Sequence, residues 1–370
     1  MKIGIMTMHR VLNFGSVLQA YALQRKINEL GYESELIDYI FPEPSKKKFS
    51  IRGLMSKFIL HLKEVLMGFP SKRKVRRFTE FKNHYLAVSE NEYTHKSINE
   101  NPPTYDMYLT GSDQVWSPRH VKGNTDFMFS FAPNGAKIVS YAASFAVESI
   151  PIEYQESYAK ALSRYSYITV RESFGCNLVR ELTAKEAKLV CDPTLLLDKK
   201  HWNILADSAK KTEKEPYILV YILRYMFNPY PAVDSIINKV QQELGIKAIY
   251  LNGRAQDFWK PNSRIIKDSG PCEFLDLIKN ASFVITTSFH GVALSCAYGV
   301  PFYGIVQDKT QNGDRIHSLL SELNCENSLL DYDEIPDFKK GEEIKLACKE
   351  DDLSRFRKKS LKSLSEMLKL

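Results

Sequence analysis

The feature of this sequence that most constrains its fold is an alternation of short apolar runs with amphipathic helical stretches, which occurs twice along the chain. The first series fills the N-terminal half and the second begins at residue 217. Between them, residues 198–215 are polar and rich in lysine. Regular alternation of strands and helices is typical of a parallel sheet covered by helices on both faces. The sequence therefore predicts two doubly wound, Rossmann-like α/β domains that face a cleft.

The domain boundaries follow from the two series. We expect residues 1–197 to form the N-terminal domain, with a basic insertion at 46–77, and residues 198–216 to form a linker. Residues 217–350 then form the C-terminal domain. The last stretch, 351–370, has apolar residues at helical spacing, and we expect this helix to return to the first domain. A chain of 370 residues is long enough for two domains of ordinary size.

The net charge of +7 comes from one segment of the chain. Residues 46–77 hold eleven Lys or Arg and one acid, Glu64, so this segment carries +10 and the remaining chain −3. Because the positive charge is confined to this segment, the net charge does not indicate a nucleic-acid-binding protein. Two interpretations of the segment stay open, docking on an anionic membrane surface or a solvated insertion. Docking would use an apolar helical face and adjacent cations: Phe58, Ile59, Leu62, Leu66, Lys46, Lys47, Lys48, Lys72, Arg73, Lys74, Arg76 and Arg77.

Cysteine usage and the N-terminus indicate a cytoplasmic protein. The six cysteines have no paired or C-x-x-C spacing, so we expect reduced thiols, with neither a disulfide framework nor a metal site. His9 and Arg10 interrupt the only apolar run near the start of the chain, which argues against an export signal. No apolar stretch approaches the length that spans a bilayer.

Three strand-to-helix junctions carry the polar residues from which a site could be built, because ligands of doubly wound folds bind beyond the carboxyl ends of the strands. The first, at 13–16, offers a glycine for close approach and Ser16 as a helix cap. The second, at 111–116, combines a carboxylate, an amide and an indole. The third, at 286–291, places His290 at the start of a helix. Taken singly, the first junction is a weak signal, and the second is better explained as a capped turn with a packed tryptophan. The third is the most informative of the three.

Cations at further strand ends extend this pattern. Arg171 and Arg224 each end a predicted strand, and Lys309 follows another. With His290, these residues describe a pocket for a small, highly charged anion, although each alone would more often be a structural or surface residue.

Five segments resemble the polysaccharide pyruvyl transferase family, in the order in which that family carries them. They are 13–23 (NFGSVLQAYAL), 111–116 (GSDQVW), 170–172 (VRE), 192–197 (DPTLLL) and 288–291 (SFHG). The resemblance implies a fold similar to the two-domain GT-B glycosyltransferases, with phosphoenolpyruvate as donor and no cofactor. It also implies a sugar or lipid-linked oligosaccharide as acceptor, a pyruvate ketal as product, and work at the cytoplasmic face of the inner membrane.

The same resemblance implies roles for individual residues. His290 would be the general acid and base, Arg171 would clamp the donor anion, and Lys309 would neutralise the leaving phosphate. The remaining donor contacts would be Arg224, Ser288, Gly291 and Arg315. The acceptor contacts would be Asn13, Gly15, Ser16, Ser112, Asp113, Gln114 and Trp116. The chain departs from the family at Ser288, where characterised members tend to carry an arginine.

Two other functions fit the same architecture. A glycosyltransferase that uses a nucleotide sugar would need a carboxylate at a strand end to hold the ribose, and Glu273 is the candidate. A non-catalytic carbohydrate-binding protein would tolerate the loss of His290 without loss of ligand affinity.

Overall fold

The computed structural model describes residues 1–41, 72–209, 213–309 and 315–370. The N-terminal half is built on parallel strands: β1 (Lys2–Met6), β2 (Glu33–Tyr39), β3 (Val88–Tyr93), β4 (Met107–Thr110) and β5 (Ile138–Ser140). They form one sheet in the order β3-β2-β1-β4-β5. The short parallel pair β6 (Thr169–Val170) and β7 (Lys188–Leu189) continues beyond β5 through isolated bridges.

The C-terminal half contains a second parallel sheet. Its strands are β8 (Tyr217–Tyr221), β9 (Lys247–Leu251), β10 (Ser263–Ile266), β11 (Phe283–Thr286), β12 (Phe302–Val306) and β13 (Leu329–Asp331). Their order is β10-β9-β8-β11-β12-β13. Every residue of β8, β11 and β12 is buried, as expected for strands covered on both faces. The predicted pair of doubly wound α/β sheets is confirmed.

Helices cover both sheets. Those of the first half are α1 (Phe14–Glu29), α2 (Lys72–Tyr85), α3 (His95–Glu100), α4 (Pro118–Val121), α5 (Ile152–Leu162) and α6 (Ser173–Thr183). Those that follow are α7 (Lys199–Ser208), α8 (Val233–Leu244), α9 (Pro271–Lys279), α10 (Phe289–Tyr298), α11 (Arg315–Glu322) and α12 (Glu350–Leu368). No helix in the described ranges is both long and apolar enough to cross a membrane.

The segment predicted as a linker contains helix α7, which packs against α9 of the second half. Trp202 of α7 is fully buried, and its indole Nε1 donates to the Thr194 carbonyl at 3.0 Å. The polar, lysine-rich composition hid the length of this helix, because only Trp202, Leu205 and Ala206 form its buried face. One helix-like turn was expected in this segment, and the structure has a helix of ten residues there.

The terminal helix α12 packs against the first half of the chain. Its Ser360 hydroxyl accepts from the Cys191 N–H at 2.8 Å, and the Arg357 Nε donates to the Leu195 carbonyl at 2.6 Å. An apolar core runs from the helices of the first sheet into those of the second. At its centre the Phe14 and Phe274 rings stack with centroids 4.5 Å apart.

The basic insertion is described only from Lys72 onward, where it forms α2, a helix that the sequence analysis missed. The predicted docking face (Phe58, Ile59, Leu62, Leu66) and the lysines at 46–48 lie outside the described residues. Arg73 and Arg77 of α2 form ion pairs with Asp268, and Arg77 also pairs with Glu273. These two cations therefore tie the insertion to the second half of the chain.

Candidate functional site

The candidate site lies where the strand order of both sheets reverses. In the first sheet this point lies between β1 and β4, and in the second between β8 and β11. Helix α1 begins at one of these points, with the Asn13 side chain accepting from the Gly15 and Ser16 N–H groups. Helix α10 begins at the other, where the Ser288 hydroxyl accepts from the Gly291 N–H at 3.2 Å. Two helix N-termini thus meet across the cleft, an arrangement that favours bound anions.

Gly15 of α1 and His290 of α10 are in direct contact. A Cβ atom at Gly15 would lie 2.0 Å from the His290 Nδ1, so any side chain there would displace the imidazole. The glycine is needed for this close approach, since its φ angle is not in the left-handed region. The contact fixes the histidine ring against the facing half of the chain.

A buried charge cluster lies beneath His290. The Arg171 Nη1 is 3.0 Å from the Asp192 Oδ2, and the His290 Nε2 is 3.5 Å from the same oxygen. Within the described residues that Nε2 atom has no hydrogen-bond partner of good geometry, although it is buried. An imidazole that lines a cavity and has its Nε2 next to a buried carboxylate is suited to exchange a proton with a ligand.

The cations of the cluster keep its two aspartates ionised. Burial alone would raise the pKa of Asp192, but His290 and Arg171 hold that pKa well below its usual range. Burial likewise opposes ionisation of Asp113, and Arg171 and His290 again lower its pKa. Negative charge therefore lies next to His290.

Asp113 follows β4 in a strained backbone conformation. Its φ angle is +79°, in the left-handed region that non-glycine residues rarely adopt. The Ser16 hydroxyl donates to one carboxylate oxygen, and the other lies 3.6 Å from the Arg171 Nη2. Strained residues of this kind concentrate at functional sites because the surrounding contacts hold them in place.

Two cavities open along the cleft and share Arg119 and Arg315 in their walls. The smaller, about 330 Å³, contains the site described above. Seven predicted residues line it: Asn13, Ser16, Asp113, Gln114, Ser288, His290 and Arg315. The larger, about 600 Å³, lies towards the end of β12.

Several predicted site residues lie behind this surface. The Arg171 side chain is fully buried, and Ser112 donates to the Asp192 Oδ2 at 2.7 Å. Both residues therefore support the site from below. Neither lines the two cavities, so the prediction that they contact a ligand directly does not fit this structure. Gly291 is buried, and a Cβ there would lie 2.6 Å from the Thr286 hydroxyl, so the position has no room for a side chain. Ser16 lies within α1, so Asn13 is the cap that was predicted to be Ser16.

Trp116 does not contact the cleft. The indole is fully buried between the Phe145 and Tyr165 rings, with centroids at 5.1 and 5.6 Å. Its assignment to the sugar-binding surface was wrong, because an aromatic residue in a turn is equally able to pack in the core.

Two predicted cations also lie away from the cluster. The Lys309 ammonium pairs with Glu334, and Arg224 is exposed on the loop after β8. Neither residue lines the two cavities. Position at a strand end was too weak a signal here, because a side chain there can turn towards either neighbour.

Sequence reasoning missed four residues of the site. Asp192 was quoted within a motif but given no role, although it directly follows a predicted strand. Arg119, His120 and Tyr225 line the smaller cavity from short loops. The sequence could have indicated them by position, because Arg119 and His120 follow the 111–116 turn and Tyr225 follows β8. Within the described residues, no cluster of three or more His, Cys, Asp or Glu side chains could hold a metal ion.

The carboxylate proposed to hold a ribose has other partners. The Glu273 Oε1 pairs with the Arg77 Nε at 3.0 Å, and its Oε2 accepts from the Gly270 N–H at 2.9 Å. It lines neither cavity. This weakens the interpretation as a nucleotide-sugar glycosyltransferase.

A family model described as polysaccharide pyruvyl transferase matches residues 13–309. These residues include every motif of the cleft. No curated protein matches the chain in sequence.

Solved structures share the fold at low sequence identity. UDP-GlcNAc 2-epimerase from Methanocaldococcus jannaschii is 12% identical, with a TM-score of 0.53 over 98% of this chain and 93% of that one. The same enzyme in complex with UDP-GlcNAc and UDP has a TM-score of 0.54 at 12% identity, over 100% of this chain and 99% of that one. UGT89C1 from Arabidopsis thaliana gives 0.50 at 11% identity, over 99% of each chain. These similarities show a GT-B-type fold.

Proposed function

This chain belongs to the polysaccharide pyruvyl transferase family, and from that premise we propose that it transfers a pyruvyl group from phosphoenolpyruvate to a sugar. The acceptor would be a surface polysaccharide or its lipid-linked precursor, and the product a pyruvate ketal. The observation that carries the proposal is the position of His290. Its Nε2 faces Asp192 at 3.5 Å, at the point where the switch points of the two sheets meet.

The reaction forms two bonds and breaks two bonds at a single carbon. The enol carbon of the donor gains bonds to two sugar oxygens and loses both its π bond to the methylene carbon and its bond to the phosphate oxygen. One hydroxyl proton ends on the methylene carbon, which becomes a methyl group, and the other leaves with phosphate. The protein must therefore carry protons and stabilise the departing anion.

His290 is the group best suited to carry those protons. Asp192 behind it would stabilise the imidazolium that forms when the ring takes a proton from a sugar hydroxyl. Arg171 would act as a positioning residue, since its guanidinium holds Asp192 and does not reach the cavity. Asn13, Asp113 and Gln114 would hold the acceptor hydroxyls from the facing wall.

The test is phosphate release from phosphoenolpyruvate in the presence of a panel of lipid-linked and nitrophenyl sugars. We expect the wild-type protein to release phosphate with at least one sugar, and His290→Ala to reduce turnover by at least a hundredfold. The melting temperature should change little, because the ring has no fixed hydrogen-bond partner. A non-catalytic binding protein would instead give no release with any sugar and unchanged sugar affinity in His290→Ala.

We further propose that the basic insertion brings the enzyme to a lipid-linked acceptor at the cytoplasmic face of the membrane. Lys72 and Arg76 of α2 are exposed, and the lysine triplet at 46–48 adds to this charge. Each cation near an anionic surface contributes about 1 kcal/mol. Arg73 and Arg77 are less suited to this role because Asp268 holds both.

Vesicle binding tests this docking. Glutamine substitution of the triplet at 46–48 should weaken binding to anionic vesicles at low salt by tenfold or more. The matched control replaces the exposed lysines Lys339, Lys340 and Lys345, which changes the net charge equally. Equal weakening in both variants would indicate a nonspecific charge effect and contradict docking through the insertion.

A further inference from the structure

Three cavities lie in a row along the boundary between the two halves of the chain. The smaller cavity at His290 and the larger one share Arg119 and Arg315 in their walls. The larger one in turn shares Glu148 with a third cavity of about 530 Å³, which lies between α6 and α11. Together the three cavities form a groove that leads away from His290, with both halves of the chain as its walls.

The same elements border successive parts of this groove. On the side of the second half, α11 begins with Arg315 at the junction of the first two cavities, and its residues His317 and Ser321 border the third. On the side of the first half, the wall passes from Arg119 to the loop at 146–149 and then to α6. One elongated ligand can therefore contact all three cavities.

The charges that line the larger cavity balance each other. Arg119 and Arg315 are in its wall, and so are Glu148 and Asp308, so the formal charge of these four side chains is zero. A phosphate or a nucleoside diphosphate bound there would meet two carboxylates. Hydroxyl groups both donate and accept hydrogen bonds, so a neutral carbohydrate can use cationic donors and carboxylate acceptors together. The lining therefore fits a sugar better than an anion.

The larger cavity also offers apolar surface. Met226 and Phe227, in the loop after β8, line it together with Ile305. The Phe227 ring packs against Tyr332 with centroids 5.9 Å apart and stays half-buried, so part of it is open to the cavity. Ligand sites commonly combine apolar walls with a few polar groups that fix orientation. A sugar ring, with C–H faces and hydroxyls at its edge, matches this combination.

The loop that carries Glu148 is held by the buried carboxylate of Glu172. The Glu172 Oε1 accepts from the Phe145 N–H at 2.7 Å and from the Ala146 N–H at 3.4 Å. Ala146 has a φ angle of +54°, in the left-handed region, and such conformations concentrate at ligand sites. Glu148 itself is exposed, and within the described parts of the chain its carboxylate has no hydrogen-bond or ion-pair partner. It is thus available to accept from a ligand between the second and third cavities.

The third cavity is also unsuited to anions. Glu148, Glu181 and Glu322 are among its lining residues, which include no lysine or arginine in the part of the chain that the structure describes. The Asn177 Oδ1 accepts from the Arg180 Nη1 at 3.3 Å, while its amide nitrogen has no partner among the described residues. An amide donor beside carboxylate acceptors again favours hydroxyl groups.

We propose that this groove binds the acceptor as a chain of at least three sugars. The sugar that reacts occupies the smaller cavity next to His290, and the next two sugars of the chain occupy the larger and the third cavity. Glu148 accepts from hydroxyls of the second and third sugars, and Asn177 donates to the third. That the bound chain is the substrate of pyruvyl transfer rests on the proposed function, whereas binding of a carbohydrate chain does not.

Equilibrium binding by calorimetry tests the groove. The probes are nitrophenyl glycosides of glucose, galactose, mannose and N-acetylglucosamine, each as the mono-, di- and trisaccharide. For at least one sugar we expect the wild-type affinity to rise about a hundredfold from the mono- to the trisaccharide. Glu148→Ala removes hydrogen bonds to a charged group, so it should weaken di- and trisaccharide binding about tenfold and leave the monosaccharide unaffected.

A second variant separates the third cavity from the larger one. Asn177→Ala removes a neutral donor, so it should weaken only trisaccharide binding, by about two- to tenfold. The matched control is Glu156→Ala, because Glu156 is exposed on α5 and lines none of the three cavities. Melting curves show whether each variant is folded.

The outcomes separate the groove from the proposed function. An affinity that rises with chain length and depends on Glu148, in a protein that never releases phosphate from phosphoenolpyruvate, supports the groove and contradicts the transferase. Phosphate release with equal kcat/KM for mono- and trisaccharides contradicts the groove and leaves the transferase standing. Wild-type protein that binds trisaccharides no tighter than monosaccharides, or an equal loss in Glu156→Ala, also overturns the groove. Competition of UDP with the disaccharide would assign the larger cavity to a nucleotide and overturn it as well.

Discussion

Gly15 and His290 lie about 275 positions apart in the sequence and touch across the cleft. Because the imidazole rests on the backbone of α1, the position of the proposed proton carrier depends on a residue that has no side chain. Errors of about 1 Å in the placement of a reacting group can cost a hundredfold in rate. The site is therefore sensitive to a change that introduces no charge and no new chemistry.

We predict that Gly15→Ala lowers turnover by about a hundredfold, because the new Cβ would lie 2.0 Å from the His290 Nδ1 and must push the ring away. Phosphate release measures the effect. The control is Gly135→Ala, where a Cβ meets nothing within 4 Å but the φ angle is +80°. That variant should lose about 1 kcal/mol of stability and keep its activity. Unchanged turnover in Gly15→Ala would contradict the role of the contact.

Single residues of the site could be predicted only where they follow a strand and face a turn. Asn13, Asp113 and His290 were found in this way, because the carboxyl ends of parallel strands meet at one edge. The burial of Arg171 and Trp116 could not be predicted. Whether a residue at a strand end faces the cleft or the core depends on its neighbours in space, and no periodicity reports it.

At the scale of elements, helix α2 shows why composition misleads. Its sequence is dominated by cations, so the surrounding segment was interpreted as solvated or as a membrane contact. Phe78 and Phe81 are buried nevertheless, three positions apart on one face. Lys74 is buried as well, with its ammonium 4.7 Å from the centre of the Phe14 ring and 3.3 Å from the Asn252 Oδ1. The helix thus contacts residues of both halves of the chain.

The buried ammonium gives α2 a pH-dependent stability. Burial lowers the pKa of Lys74 from its usual 10.5 to about 8. Between these values the unfolded chain binds a proton that the folded protein does not, so the free energy of unfolding rises with pH across that window. Below about pH 8 the folded protein carries the full cost of the buried charge, at most about 3 kcal/mol.

We predict that Lys74→Met raises the free energy of unfolding at pH 7 by about 1–2 kcal/mol, after the loss of the ring contact is subtracted. The gain should shrink as the pH rises from 8 to 10.5. Urea unfolding at several pH values measures it, with exposed Lys72→Met on the same helix as the control. A variant that is less stable than wild type at every pH would show that the ammonium stabilises the fold.

At the scale of the whole molecule, the two halves are joined by an apolar interface next to the site. Phe14 stacks on Phe274, and Tyr221 packs edge-on against both rings. The alternation of strands and helices was sufficient to predict two sheets, because each series has its own apolar strands. The interface could not be predicted, since Phe14 lies within a motif that indicated a ligand site.

This interface predicts how the protein unfolds. Proteins of two domains often unfold in separate steps. Here the stacked rings lie within one core that is continuous between the halves, so we expect a single calorimetric transition for the wild type. Phe274→Ala should cost about 3–5 kcal/mol and resolve the transition into two, because the cavity it leaves lies between the halves.

The control for this experiment is Phe283→Ala. Phe283 is also fully buried, but it packs against Tyr303 and Phe338 on the outer face of the second sheet. The loss of this ring should reduce the free energy of unfolding by a similar amount and lower the melting temperature. The transition should stay single, because the contact between the halves is intact. If Phe274→Ala melts in one step like this control, the rings do not couple the halves. The alignment of Gly15 with His290 would then depend on the polar contacts of the cleft alone.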